Sequence, residues 1–222
     1  MLPYDLSKTA RVTSILLVVY CLAELTLLVT NVQLFGFYDL VESGSLTNAE
    51  LDQAAARVDA ASLAAGGFFF VSLVACVIVS GMWVYRLAAN ANAVTPDENR
   101  ITPAWSVGWF AVPFANLVMP YRMIRQHWHG LNGSDDLNGG LPGWVLFWWS
   151  MWLIGNVLSF VASRSLTNAQ TIDQFRTASM LEIASSVVGI GAALLFRNLV
   201  LEMTPMSAAA SPNIPSHEGE NE

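Results

Sequence analysis

The sequence has little charge. Charged residues make up 12% of the 222 residues, whereas apolar residues make up 54%. Soluble domains carry about 25% charged residues, so this composition is typical of a chain whose solvent is partly lipid. The net charge of −7 comes with no basic stripe, which argues against nucleic acid as a partner. The composition therefore predicts an integral membrane protein that does not bind nucleic acid.

Cysteine and catalytic motifs are also scarce. The two cysteines, Cys21 and Cys76, both lie inside apolar runs, and we expect small buried hydrophobic residues there rather than disulfide or zinc partners. A nucleotide-binding loop, a nucleophile elbow and a zinc-protease helix motif are all missing from the sequence. We therefore predict no catalytic residue and no cofactor, and we expect a protein that is not an enzyme.

Two histidines and two aspartates lie close together in the sequence and raise the question of a metal site. His127 and His129 are followed by Asp135 and Asp136. Residues two apart on a helix point about 200° away from each other, which is poor for joint ligation. We expect these residues to be exposed and polar, and we predict no metal site.

Four apolar runs reach the length of about 20 residues that a membrane-spanning helix needs. They cover residues 12–37, 61–85, 141–162 and 178–200. The first run is too long for the apolar core of a cleaved signal peptide, so we interpret it as a span. The sequence thus predicts a cytoplasmic N-terminus at residues 1–11 and a helical membrane domain at 12–202. An acidic tail follows at 203–222, where the composition predicts disorder.

A five-residue repeat is the most specific internal signal. Ser45–Ala49 and Ser165–Ala169 both read SLTNA, and each copy follows one apolar run and precedes another. In each copy the threonine is followed three residues later by an acid or an amide, Glu50 or Gln170, which is the capping-box pattern. We therefore expect each copy to begin a helix, and we predict two related hairpins that arose by duplication. A ligand-binding loop is the alternative interpretation.

The positions of Lys and Arg predict the orientation of the chain. With four spans, the cytoplasmic side holds Lys8, Arg11, Arg86, Arg100, Arg122, Arg125 and Arg197, and the outer side holds Arg57, Arg164 and Arg176. If the shorter apolar run at residues 104–119 also crossed, the split would fall to six against four. Because cytoplasmic loops carry excess Lys and Arg, we predict that this run does not cross and that both termini are cytoplasmic.

Residues 102–129 form an unusual central segment. Thr102 is expected to cap a helix whose first residue is Pro103, and Pro113 is expected to break that helix, with Asn116 satisfying a carbonyl group released by the break. Broken backbone at membrane depth needs protein or water around it, which predicts a re-entrant or interfacial segment. We expect its aromatic and basic residues to lie at the level of the lipid headgroups. The candidate functional residues here are Trp105, Trp109, Pro113, Asn116, Pro120, Tyr121, Arg122, Arg125 and Trp128.

This segment carries a family resemblance. The pattern W-x3-W-x3-P-x2-N-x3-P-Y-R over residues 105–122, followed by Trp128, resembles the core of a bacterial multi-pass membrane family catalogued as domain of unknown function 4328. The resemblance covers roughly residues 63–201 and leaves out the first span. It implies a protein of the bacterial cytoplasmic (inner) membrane with several helices, and it brings no reaction and no catalytic residue.

One acidic residue, Glu24, lies inside the first apolar run. An acid at this depth is costly and often marks a functional site, although a hydrogen-bonded carboxyl that locks helices together is the simpler interpretation.

Seven of the eight tryptophans lie between residues 105 and 152. We expect them to pack the central segment and the third span together and to anchor the chain at the interface, with an aromatic groove for a lipid as the alternative.

Taken together, these features predict an all-α integral membrane bundle of four transmembrane helices in two related hairpins, with a central Pro-broken segment. The expected function is that of a non-enzymatic membrane component that recruits or regulates a partner, or that binds lipid. The first alternative is a small-solute or ion transporter or channel that uses Glu24 and the helix break at Pro113. The second is a membrane enzyme, for which the sequence shows no constellation of catalytic residues. The lipid bilayer is the expected partner, and a protein partner or a homo-oligomer stays open.

Overall fold

The computed structural model describes residues 2–96, 100–134 and 136–210. Within these residues all regular structure is helical, so the predicted all-α fold is confirmed. The α-helices are α1 (Ser7–Ser43), α2 (Asn48–Val94), α3 (Pro103–Gly108), α4 (Met119–Leu131), α5 (Gly143–Asn168) and α6 (Ile172–Ala209). Two short 3-10 turns, Trp109–Ala111 and Ala115–Leu117, lie between α3 and α4.

Four of the described helices, α1, α2, α5 and α6, are long and apolar enough to cross a membrane. This number matches the four predicted spans. Three of the four helices extend past both ends of the apolar runs, and α5 begins at Gly143 and runs to Asn168, beyond the predicted end at residue 162. The largest extension is at the start of α2, where residues 48–60 are rich in alanine, the best helix former.

Both terminal helices extend beyond their apolar runs, and the predicted start of the C-terminal tail needs correction. Helix α1 begins at Ser7, inside the predicted N-terminal segment, because the Asp5 carboxylate accepts a hydrogen bond from the Ser7 N–H at 2.9 Å. Helix α6 continues to Ala209, so the prediction that a disordered tail begins at residue 203 is wrong. Met203 is fully buried, and this burial favours the extra helical turns. Residues 211–222 of the predicted tail lie outside the described residues.

The two copies of the repeat adopt different structures. In the first copy the predicted capping box is confirmed, because Glu50 Oε2 accepts from Thr47 N–H at 2.9 Å and Glu50 N–H donates to Thr47 Oγ1 at 3.4 Å. The second copy ends α5 instead of beginning α6, so the prediction of a helix start at Thr167 is wrong. The hydroxyl of Thr167 donates to Ser163 O at 2.8 Å.

The residue before each copy explains this difference. Gly44 precedes the first copy with φ +58°, a left-handed conformation that glycine adopts easily and that ends α1. Arg164 holds the matching position before the second copy, and the helix continues through it. Helix α6 is capped one turn later, where Gln174 N–H donates to Thr171 Oγ1 at 3.4 Å.

The chain divides into two compact units, which are described separately. The first unit comprises the described residues of Met1–Val12, Val79–Pro142 and Val200–Glu222, and the second comprises Thr13–Ile78 and Gly143–Leu199. In the second unit Leu17, Cys76 and Ala193 form a buried cluster.

Aromatic rings pack inside the second unit. The ring of Trp148 stacks on Phe196 at 5.3 Å between centroids, and Trp149 stacks on Trp152 at 4.7 Å. Trp148 and Trp149 are both buried. Trp148 therefore packs α5 against α6, whereas Trp149 stacks on a residue of its own helix.

Candidate functional site

Three helix ends are joined by buried polar side chains in the first unit. The Asn90 amide on α2 accepts from Tyr4 N–H at 3.0 Å and donates to Tyr4 O and to Ser207 Oγ, both at 2.8 Å. Nearby, the Trp83 indole N–H donates to Thr204 Oγ1 at 3.1 Å. The N-terminal segment, the end of α2 and the end of α6 therefore meet in one unit.

Hydrogen bonds connect the start of the central segment to α2 and connect the two ends of the segment to each other. The buried guanidinium of Arg100 donates to Ala91 O at 2.6 Å, and Gln126 Oε1 accepts from Ile101 N–H at 3.1 Å. Gly130 on α4 lies against Arg100, and a β-carbon on this glycine would come within 2.9 Å of the guanidinium carbon. The close approach of α4 to this arginine therefore depends on glycine.

The start of α3 agrees with the sequence prediction and leads to a buried Ser–His pair. Thr102 caps α3 by accepting from Trp105 N–H at 3.4 Å, and Pro103 is the first helical residue. The Ser106 hydroxyl donates to Thr102 O at 3.0 Å and lies 2.9 Å from His127 Nε2. If the hydroxyl proton of Ser106 is directed at Thr102 O, the matching tautomer of His127 carries its proton on Nε2 and donates to Ser106 Oγ.

His127 is therefore a neutral, buried histidine. Its side chain is fully enclosed, and burial lowers its pKa to about 3, with the positive charge of Arg100 acting in the same direction. The expectation that His127 is exposed is wrong, because α3 covers this side of α4 through Ser106. Among the described residues no cluster of His, Cys, Asp or Glu could hold a metal ion; Asp135 lies outside them.

The chain between α3 and α4 displays an apolar side chain on a strained backbone. Phe114 has φ +62°, and Ala115 N–H donates to Pro113 O at 2.7 Å. These two features define a γ-turn of the rare positive-φ form, a backbone that costs about 1–3 kcal/mol. Phe114 is 85% exposed, and Val118 is 61% exposed. The backbone N–H of Asn116 donates to Val112 O at 3.0 Å.

Helix α4 has one buried face and one exposed face. Met123 and Ile124 are fully buried, whereas Arg122 is exposed. Arg125 is half-buried and donates to Asn138 Oδ1 at 3.2 Å.

Most of the remaining candidate residues of the central segment lie at or near the surface. Pro120 is buried, Tyr121 and Trp128 are half-exposed, and the half-exposed Trp105 stacks on Trp109 at 4.5 Å.

The last candidate residue, Glu24, belongs to the second unit. Its side chain is 5% exposed, and Tyr20 O–H donates to Glu24 Oε1 at 2.5 Å. On α6, a β-carbon at Gly189 would lie 2.7 Å from the same oxygen. The carboxyl group is thus hydrogen-bonded at the contact between α1 and α6, which fits the simpler interpretation of a helix lock.

The described part of the chain is all-α, and four of its helices are long and apolar enough to span a membrane. The chain belongs to the family described as a domain of unknown function (DUF4328), whose sequence model matches residues 47–205. The match begins at the capping threonine before α2 and ends within α6, so α1 lies outside it. The family resemblance stated from the sequence is thereby confirmed. No curated protein and no solved structure matches the chain.

Proposed function

We propose that this protein is a non-enzymatic component of the bacterial inner membrane whose first unit binds the lipid surface on the cytoplasmic side. The observation that carries the proposal is the exposed apolar turn at Phe114 and Val118, which are 85% and 61% exposed. A fixed, exposed apolar turn is typical of a surface that contacts a membrane or a partner. A membrane is favoured because the same unit contains the ends of three apolar helices.

The chain segments that make up the first unit favour a location of the whole unit on one side of the membrane. The N-terminal segment, the end of α2 and the end of α6 are joined there through Asn90, and the central segment both starts and ends in this unit. Six of the seven basic residues expected in the cytoplasm also belong to it, Lys8, Arg11, Arg86, Arg100, Arg122 and Arg125. These observations favour a central segment that does not cross and termini that are both cytoplasmic.

The size of the central helices supports the same arrangement. Helix α3 has 6 residues, which span about 9 Å at 1.5 Å per residue, whereas the hydrocarbon core is about 30 Å thick. At Gly81 on α2, a β-carbon would lie 3.5 Å from Val107 Cγ1 of α3. Since Gly81 is near the end of the apolar run at 61–85, this contact favours a position of α3 near the depth where that run ends.

The buried polar groups of the unit favour a structural rather than a catalytic role. Ser106 and His127 have the residue types of a nucleophile and its base, but both are fully enclosed. Ser106 donates its proton to Thr102 O, so its lone pair faces the histidine N–H and no substrate can reach it. The pair holds α3 against α4, and we propose no reaction for it.

Spin-label accessibility at Phe114 tests the proposed membrane contact. Phe114→Cys and Asn138→Cys would be labelled separately in a chain carrying Cys21→Ala and Cys76→Ala, reconstituted in phosphatidylcholine nanodiscs. We expect the label at position 114 to be reached by oxygen dissolved in lipid, and the label at 138 to be reached by a water-soluble nickel reagent. Equal exposure of both labels to the nickel reagent would contradict the proposal.

Transport is the second candidate function, and the burial of Glu24 is the observation that favours it. An intramembrane acid with a hydrogen-bond partner is a frequent element of proton and ion pathways. Glu24→Gln keeps the side-chain shape, so the variant should express normally. Loss of a proton or solute flux in proteoliposomes of this variant would favour transport. Unchanged behaviour would leave Glu24 as a helix lock.

A further inference from the structure

The central segment differs in charge from the rest of the chain. From Arg100 to Ser134 the sequence contains three arginines and no acidic residue, in a chain with 17 acidic residues and a net charge of −7. Arg100 is buried and bonded to Ala91 O. The surface charge of this stretch therefore comes from Arg122 and Arg125.

These two arginines lie directly beside the apolar turn. Arg122 N–H donates to Val118 O at 3.1 Å, so the exposed Val118 and the exposed Arg122 are one helical turn apart and are neighbours on the surface. Arg125 follows three residues later on the same side, opposite the buried Met123 and Ile124. The result is a short helix with an apolar end and a cationic outer face.

Neither arginine is neutralised by a carboxylate within the described part of the chain. The ion pairs found there are those of Arg176 with Asp39, Glu42 and Asp173. Arg125 donates instead to the uncharged Asn138 amide. Cationic groups beside an apolar turn that enters a bilayer are expected at the depth of the lipid phosphates.

We propose that this surface selects anionic phospholipids, with Arg122 and Arg125 binding the headgroup phosphate while Phe114 and Val118 lie in the acyl region. The inference rests on the proposed function, because the apolar turn must first reach the bilayer. Guanidinium groups suit this task since their planar donors can bind two phosphate oxygens at once. Each basic residue near an anionic surface contributes a factor of about five in affinity.

Lipid competition on the full-length chain tests this selectivity. A fluorophore would be attached at Val118→Cys, in the chain carrying Cys21→Ala and Cys76→Ala, and reconstituted in nanodiscs containing brominated phosphatidylglycerol or brominated phosphatidylcholine. The ratio of quenching constants measures the preference for the anionic lipid. We expect a ratio well above one, and a loss of about fivefold in Arg122→Gln.

Matched variants separate a specific site from general charge. Arg57→Gln removes an exposed arginine from the second unit and should leave the ratio unchanged, whereas Arg122→Lys should retain most of the preference. Equal losses in Arg57→Gln and Arg122→Gln would overturn the assignment to this surface. Excess inorganic phosphate at matched ionic strength should not abolish the preference; if it does, the site binds free phosphate and the lipid assignment is wrong.

The outcomes distinguish this inference from the function on which it rests. Quenching by both lipids with a ratio near one would overturn the selectivity and leave the membrane contact intact. A fluorophore quenched by neither lipid would overturn both.

Discussion

Acidification should weaken the packing of α3 against α4 through a single residue, His127. In the folded protein burial lowers its pKa to about 3, and in the unfolded chain we take the ordinary value of about 6.5. A base with a lowered pKa binds its proton more readily when unfolded. The free energy of unfolding therefore takes its full value above about pH 6.5. It falls as the pH drops from there toward the folded-state pKa of His127.

The magnitude follows from these two values. Between about pH 7 and about pH 5 the unfolded histidine becomes protonated while the folded one stays neutral, which costs about 2 kcal/mol. That free energy corresponds to about a 30-fold increase in the opening equilibrium of α4. His127→Gln removes the titration and keeps an N–H that can donate to Ser106, so this variant should lose the pH dependence.

Hydrogen exchange of the α4 amides, measured by mass spectrometry and corrected for the intrinsic pH dependence of exchange, reports this opening directly. The wild type should lose protection by about 30-fold over this interval, and the His127→Gln variant should lose far less. His129→Gln serves as the control, because His129 is only half-buried. The same loss of protection in wild type and His127→Gln would refute the assignment of the pH dependence to this side chain.

Four further substitutions test the helix contacts and caps by thermal unfolding. Gly130→Ala places a β-carbon against the buried guanidinium beside it and should cost about 1–3 kcal/mol. Thr47→Ala removes the capping box and should cost about 1 kcal/mol, whereas Thr167→Ala should stay within about 0.5 kcal/mol. Gly189→Ala directs a β-carbon at the Glu24 carboxyl and should lower the melting temperature by displacing that group.

Two glycines with open surroundings provide the controls. A β-carbon added at Gly140 or at Gly67 would meet no other atom within 4 Å, so alanine there should be tolerated. If alanine at these positions lowered the thermal stability as much as Gly130→Ala does, the loss would be a general effect of replacing glycine. That result would contradict a specific contact between Gly130 and Arg100.

Hydropathy was sufficient to predict the spans, because an apolar run of span length is a property of the sequence alone. The cap at Thr102 was also predictable, since the Thr-Pro pair specifies a helix start within two residues. The ends of the long helices could not be predicted in this way. Their alanine-rich or partly buried extensions do not continue the strongly apolar runs on which the prediction depends. Residues 203–209 became helical through the burial of Met203 and Ser207 against other parts of the first unit.

The buried polar contacts could not be predicted from the sequence. Ser106 and His127 are 21 residues apart, and no local pattern indicates that α3 folds back onto α4. Asn90 likewise finds its partners at Tyr4 and Ser207, at opposite ends of the chain. The two identical SLTNA copies also could not be distinguished by their own sequence. A helix ends before the first copy, at Gly44, and continues through Arg164 into the second.

Thiol labelling from outside the cell tests the central claim most directly, namely that the first unit lies on one side of the membrane and that the segment at 104–119 does not cross. Ser134→Cys and Ser45→Cys would be compared in the chain carrying Cys21→Ala and Cys76→Ala, with a membrane-impermeant maleimide. Four spans predict labelling of position 45 in intact cells and of position 134 only after permeabilisation. Labelling of both positions in intact cells would contradict the account.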